Sequence, residues 1–137
     1  MNRTLVRTSS PYEDKESFAR AVVIGDWIYV SQCAGIDYDS QELPSTAAEQ
    51  TTLSIDNVER ALKAVGSSLN DVVRRQVMIP NVDQAEEIMA IVGERFRDAS
   101  PSNVVFCSPL GAPQYLVEIE VTAYRGIGSA ETETIKY

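Results

Sequence analysis

Histidine is absent from all 137 residues. That absence excludes a Ser-His-Asp triad, a Cys-His dyad and any zinc site built on imidazole. A general acid or base here must be Glu, Asp, Lys, Tyr, Cys or a water. Cysteine is scarce, with only Cys33 and Cys107. The two read as free, buried thiols in a reducing cytoplasm. Without a histidine to activate it, neither reads as a nucleophile. Positive charge is also short, with 12 Lys and Arg against 20 Asp and Glu and a net charge of −8. The basic residues are scattered and make no stripe for a phosphate backbone, which argues against nucleic acid and anionic membrane as partners. No apolar run approaches the length of a membrane span. The opening MNRTLVRTSS lacks the apolar segment of a secretory leader. These absences together lead to the expectation of a cytoplasmic protein.

What is present is ordinary for a folded domain: 44% hydrophobic and 23% charged residues. The length suits one compact domain over 1–137. Residues 1–15 read as an irregular lead-in around Ser9-Ser10-Pro11. Residues 126–137, GIGSAETETIKY, read as a flexible acidic tail.

Between these ends the pattern alternates. Apolar runs over 19–24 and 27–33 flank Gly25-Asp26, a hairpin signal. Pro44 lies in a polar loop. Thr46 and Glu49 then have capping-box spacing, and Ile55, Val58, Ala61, Leu62 and Val65 fall on one helical face up to Gly66. A strand over 72–79 stops at Pro80. Asp83 and Glu86 repeat the capping-box spacing before a second helix with Ala85, Ile88, Met89, Val92 and Phe96 inward. Val104–Cys107 reads as a short strand and Leu116–Tyr124 as a long alternating one.

Two helices cover only one face of such a sheet, so the other must be polar or covered by partners. In the last strand Val117, Ile119, Val121 and Ala123 suit the helix side. Leu116, Glu118, Glu120, Thr122 and Tyr124 suit a wet, partly buried subunit interface. The expectation is an oligomer. Arg74-Arg75 reads as a strand pair split between faces, and Trp27 as packing.

Three stretches carry a resemblance to a known family. They are SFARAVVIGDWIYVSQCAGID, EQTTLSIDNVERALKAVGSSLNDVVR and SNVVFCSPLGAPQYLVEIEVTAY, spanning about residues 16–125. In this order they resemble the Rid family (YjgF, reactive intermediate deaminase, also labelled endoribonuclease L-PSP). The resemblance implies an α+β, chorismate-mutase-like fold, a single mixed sheet with two helices on one face. It implies a homotrimer with a barrel-like centre and inter-subunit clefts. It also implies hydrolysis of enamines or imines of 2-keto acids with no metal or organic cofactor, an arginine gripping the substrate carboxylate and a glutamate holding water.

Residue by residue, Glu118 matches the family glutamate and Phe18 its cleft aromatic. Ser31 matches the Ser of a Ser-Gly turn, where Gln32 replaces the glycine. Ser102 stands where active members carry the arginine, followed by Asn103. Tyr115 sits after the Gly111-Ala112-Pro113 turn, as a cleft cap or a rim aromatic. Arg97 and Arg20 are the candidate substitutes for the missing cation. The implied function is a small-metabolite trimer with deaminase-type hydrolysis on an altered substrate. A non-catalytic ligand-binding or regulatory trimer is the alternative, and an endoribonuclease the weakest option.

Overall fold

The computed structural model covers residues 1–137. Six strands form one mixed sheet: β1 (Arg3–Val6), β2 (Ala21–Ile24), β3 (Trp27–Ala34), β4 (Val72–Ile79), β5 (Ser102–Cys107) and β6 (Glu118–Tyr124), in the order β1-β2-β3-β6-β4-β5. All pairings are antiparallel except β4 with β5. Two long helices, α2 (Ala47–Lys63) and α3 (Ala85–Arg95), supply the covering layer, and a short α1 (Pro11–Lys15) precedes β2. The α+β single-sheet architecture is as the sequence suggested. No helix is long and apolar enough to cross a membrane.

The core follows from the two periodicities. In β6 Ile119, Val121 and Ala123 are buried while Glu118, Glu120, Thr122 and Tyr124 are half-exposed. Ile55, Val58, Ala61 and Leu62 of α2 and Ile88 and Val92 of α3 close over the buried set. Fully burying one such side chain stabilises by about 1.5–3 kcal/mol. Gly25 takes φ +60 in the β2–β3 turn, a conformation that strains other residues. Thr46 Oγ1 accepts the Glu49 amide at 3.2 Å and caps α2 as its spacing predicts.

Several details differ. The lead-in is ordered: β1 adds to the sheet edge, and Pro11 opens a helical turn at the position where a missing N–H costs nothing. The Asp83–Glu86 spacing does not make a capping box. Asn81 Oδ1 instead accepts the Asp83 amide at 3.0 Å and starts a 3-10 turn that runs into α3. Cys107 is exposed on the edge strand β5, not buried, while Cys33 is buried as expected.

The start of the tail is pinned as well. Residues Ile127–Ser129 form a 3-10 turn, and the Gly128 amide donates to Asp71 Oδ1 at 2.9 Å. A Cβ on Gly128 would stand 2.6 Å from the Asn70 carbonyl oxygen, so only glycine fits this clasp. Burial acts to raise the Asp71 pKa. The Ser67 hydroxyl and the amides of Gly128, Gly126 and Ser68 outweigh it and hold the carboxylate below its ordinary value. A lowered folded-state pKa stabilises above the ordinary carboxylate pKa, and the gain disappears as pH falls through the folded value. Asp71→Asn should therefore lower unfolding stability by about 2 kcal/mol at neutral pH, read as a urea midpoint shift. The gap to wild type should close in acid.

Candidate functional site

A cavity of about 470 Å³ opens beside the start of β6. Its walls come from five segments: α1 and its C-cap with Tyr12 and Glu16, the entry to β2 with Phe18 and Arg20, the end of β3 with Ser31, Gln32 and Ala34, the loop after β3 with Tyr38, and the 111–115 loop with Tyr115. Glu118 stands in the wall at the first position of β6.

A bulge in β3 arranges this end of the sheet. Val30 pairs with Val121 and Cys33 with Ile119, so three steps on β3 match two on β6. The extra residue re-aims Ser31 and Gln32. The Gln32 amide donates to Glu118 Oε2. Ser31 Oγ donates to the Ala19 carbonyl at 2.6 Å and ties β3 to the entry of β2.

Behind the bulge lies a buried ion pair. Arg20 and Glu13 side chains are 4% and 2% exposed, and Arg20 Nη2 stands 3.3 Å from Glu13 Oε2. Arg20 Nε reaches the same oxygen at 3.3 Å, and Nη1 donates to the Gln32 carbonyl at 2.9 Å. The guanidinium lies over Tyr38 at 4.6 Å and Phe18 at 5.4 Å from the ring centres. Glu13 also accepts the Thr8 amide at 2.9 Å and the Thr8 hydroxyl. The pair is thus hydrogen-bonded on both sides, as a buried pair must be.

Burial raises the Glu118 pKa above the ordinary glutamate value, against the Gln32 hydrogen bond and the Arg20 charge, which lower it. Burial likewise raises Tyr115, with Tyr12 and Glu118 nearby, so it stays a neutral phenol. Burial pushes the Cys33 thiol up in spite of Arg20 and Tyr38, and the protonated thiol packs in the core.

Helix α2 holds these walls through a polar row at helical spacing. Gln50 Nε2 donates to the Pro44 and Gln114 carbonyls at 2.8 and 2.9 Å, and its Oε1 accepts the Leu116 amide at 2.9 Å. That one side chain clamps the 111–116 loop over the cavity. Ser54 Oγ donates to the Cys33 carbonyl at 2.7 Å, and Asn57 Nδ2 to those of Ala34 and Ile36 at 3.0 and 2.9 Å. The helix comes so close that a Cβ on Gly35 would stand 2.0 Å from the Gln50 carbonyl oxygen.

Six of the residues singled out from sequence therefore line one cavity: Phe18, Arg20, Ser31, Gln32, Tyr115 and Glu118. Three do not. Ser102 lies two strands and four register positions from Glu118 on β5, where its hydroxyl donates to the Val73 carbonyl at 3.2 Å. Asn103 Oδ1 accepts from Arg75 Nε at 2.8 Å. Arg97 is exposed beyond α3 and paired with Glu94. Arg20 lines the cavity but is no free cation, because Glu13 neutralises it. Sequence reading missed Glu13, Tyr12, Glu16, Tyr38 and Gln50. The polar row Gln50, Ser54, Asn57 beside an apolar face was the available signal, whereas nothing local pairs Glu13 with Arg20.

Removing one partner of such a pair strands a buried charge. Glu13→Gln should cost about 3–5 kcal/mol of stability, measured by chemical denaturation. It should also loosen the β2 entry, seen as faster amide exchange over 18–21.

Residues 8–125 match the family described as Endoribonuclease L-PSP. The RutC family protein UK114 of Drosophila melanogaster is 29% identical over 135 residues, 98% of this chain and 96% of that protein. The 2-iminobutanoate/2-iminopropanoate deaminase of Bos taurus is 24% identical, covering 90% of this chain and 91% of its own. Among solved structures, Rv2704 of Mycobacterium tuberculosis, from the YjgF/YER057c/UK114 family, superposes with a TM-score of 0.82 at 30% identity, over 90% of this chain and 99% of its own. The family match spans every element from α1 to β6, and on that basis the chain belongs to the Rid (YjgF, endoribonuclease L-PSP) family.

Proposed function

We propose that this protein hydrolyses a small imine or enamine in a cleft around Glu118, on a substrate other than the simplest 2-imino acids. The observation that carries this reading is the Glu118 carboxylate, shielded enough to raise its pKa, at the wall of a cavity sized for a metabolite. The deaminase name of the bovine relative supports the reaction class. No step needs a cofactor.

The chemistry balances on one group. A water oxygen bonds to the imine carbon while Glu118 takes one water proton, giving a carbinolamine. Glu118 returns that proton to nitrogen. The hydroxyl proton then passes through Glu118 to the amino nitrogen as the carbonyl forms and the C–N bond breaks, so ammonia leaves and Glu118 is again a carboxylate. A carboxylate whose pKa burial has raised is a stronger base than an ordinary glutamate and suits both transfers.

The homotrimer belongs to the same proposal. Trp27, Tyr29, Ile24 and Leu5 are exposed on or beside the sheet face opposite the helices, an apolar patch that a monomer seldom leaves bare. Packing copies through this face would bring Ser102 and Asn103 of one copy toward a neighbour's cavity. A cytoplasmic location is part of the proposal too.

A specific contact favours a second reading, a binding or regulatory trimer without turnover. The Gln32 amide occupies one oxygen of Glu118, where the family pattern has glycine. RNA cleavage has the least support, given the net charge of −8 and the absence of histidine.

Glu118→Gln should lower kcat for imine hydrolysis by about a hundredfold, followed by ketone release in competition with semicarbazide. In wild type the rate should rise with pH through a value above that of ordinary glutamate, since the water-activating form is the carboxylate. The variant should lose that limb. Unchanged kcat in Glu118→Gln excludes the assigned role, and no turnover in either protein favours the binding trimer. Sedimentation should give three copies of the 15.1 kDa chain, and Tyr29→Glu on the bare face should shift it toward monomer.

A further inference from the structure

The charges around the cavity are lopsided. Arg20 is the only cation among its lining residues, and it is matched by Glu13 behind the wall. Glu16 and Glu118 face the same space with no arginine or lysine of their own. The nearby arginines are segregated. Arg7 and Arg60 line a separate hollow behind Tyr38, and Arg7 is paired with Asp14 at 3.2 Å. Ser102, at the family's arginine position, is neutral whichever copy supplies it.

An anion entering this cavity would therefore meet two carboxylates and no free positive partner. A cation would meet the opposite. Four aromatic rings, Tyr12, Phe18, Tyr38 and Tyr115, line the walls, and ring faces attract cations. The Gln32 amide donates to only one oxygen of Glu118 and leaves the other free to accept an N–H.

We infer that the cavity selects a planar organic cation without a carboxylate, a protonated imine (iminium) or its amidine analogue, over the 2-imino carboxylates. This deepens the hydrolase reading and rests on it for turnover, but ligand preference stands on the cavity alone. For such a substrate one iminium and one water give one aldehyde or ketone and one ammonium, by the same transfers at Glu118. The new carbon–oxygen bond replaces the carbon–nitrogen bond, and both water protons end on nitrogen. The iminium carbon is already electrophilic and needs no arginine to bind its substituents.

The test compares three ligands of one shape and different charge by calorimetric titration: benzamidine hydrochloride, benzamide and sodium benzoate. Benzamidinium should bind about tenfold or more tightly than benzoate, with benzamide between. Glu118→Gln should shrink that ratio. Glu16→Gln, at an exposed position, should shrink it in the same sense and guards against misfolding of the first variant. Benzoate binding as tightly as benzamidinium, no benzamidinium binding at millimolar concentration, or a ratio unmoved by both variants each overturns the inference. A second arm supplies the carboxylate-free imine that a flavin amine oxidase releases from benzylamine. Cation preference without acceleration of benzaldehyde release leaves this inference standing and removes the hydrolase reading. Turnover of 2-iminopropanoate together with benzoate preference keeps the hydrolase and removes the inference.

Discussion

The Arg20–Glu13 pair is the constraint on which the cavity depends. A guanidinium taken out of water needs a counter-charge and filled hydrogen-bond positions. Here the counter-charge comes from α1, the carbonyl acceptor from Gln32 in the β3 bulge, and ring faces from Phe18 and Tyr38. Each of those elements is a wall of the cavity. One buried charge thus ties an N-terminal turn, two strands and the loop after β3 into a single arrangement. Glu13 is held in turn by Thr8, which explains why the segment before α1 is ordered.

Helix α2 provides the second tie. Its apolar stripe packs on the sheet, and its polar row does a different job at the same helical spacing. Gln50, Ser54 and Asn57 are buried, and each donates to a backbone carbonyl of the segments packed beneath the helix. The end of β3 and the 111–116 loop are irregular backbone, and irregular backbone can be buried only if its polar groups are paired. The close approach at Gly35 puts the helix within reach of them. The cavity is therefore shaped by two rigid anchors, a helix and an ion pair, and the loop between them has little freedom to drift.

The layers are legible in the sequence because they depend on local periodicity. Alternation in β6, the three-and-four spacing of α2, the Thr46 cap and the Gly25 turn each need only neighbours in the chain. Glu118 is legible for a further reason, since an alternating strand fixes which face it takes. What sequence reading misses depends on distant pairing. Arg20 reads as a free cation because its partner lies in a polar segment that reads as irregular. Within one chain Ser102 lies four positions down the sheet from Glu118, set there by the parallel register of β5 on β4. Asp83 with Glu86 has the spacing of a cap but loses to Asn81, whose side chain starts a 3-10 turn two residues earlier. Gln50 is hidden because a polar residue near a helix start reads as solvent-facing until a loop from sixty-odd residues away closes on it.

Three separate features point the same way electrostatically. Ser102 carries no charge, Gln32 places a neutral donor beside Glu118, and Glu13 cancels the one guanidinium in the cavity lining. Here the wall residues remain hydrogen-bonded through Ser31, Gln32 and Gln50, and each such bond left unmade would cost about 1–3 kcal/mol. Burial leaves Glu118 with a raised pKa and one acceptor oxygen open. A cationic ligand would relieve that state, whereas an anionic one would worsen it. The partial burial of Glu118 strengthens its attraction to the right charge. In this scaffold the choice of ligand therefore follows from how the fold stabilises its own buried arginine.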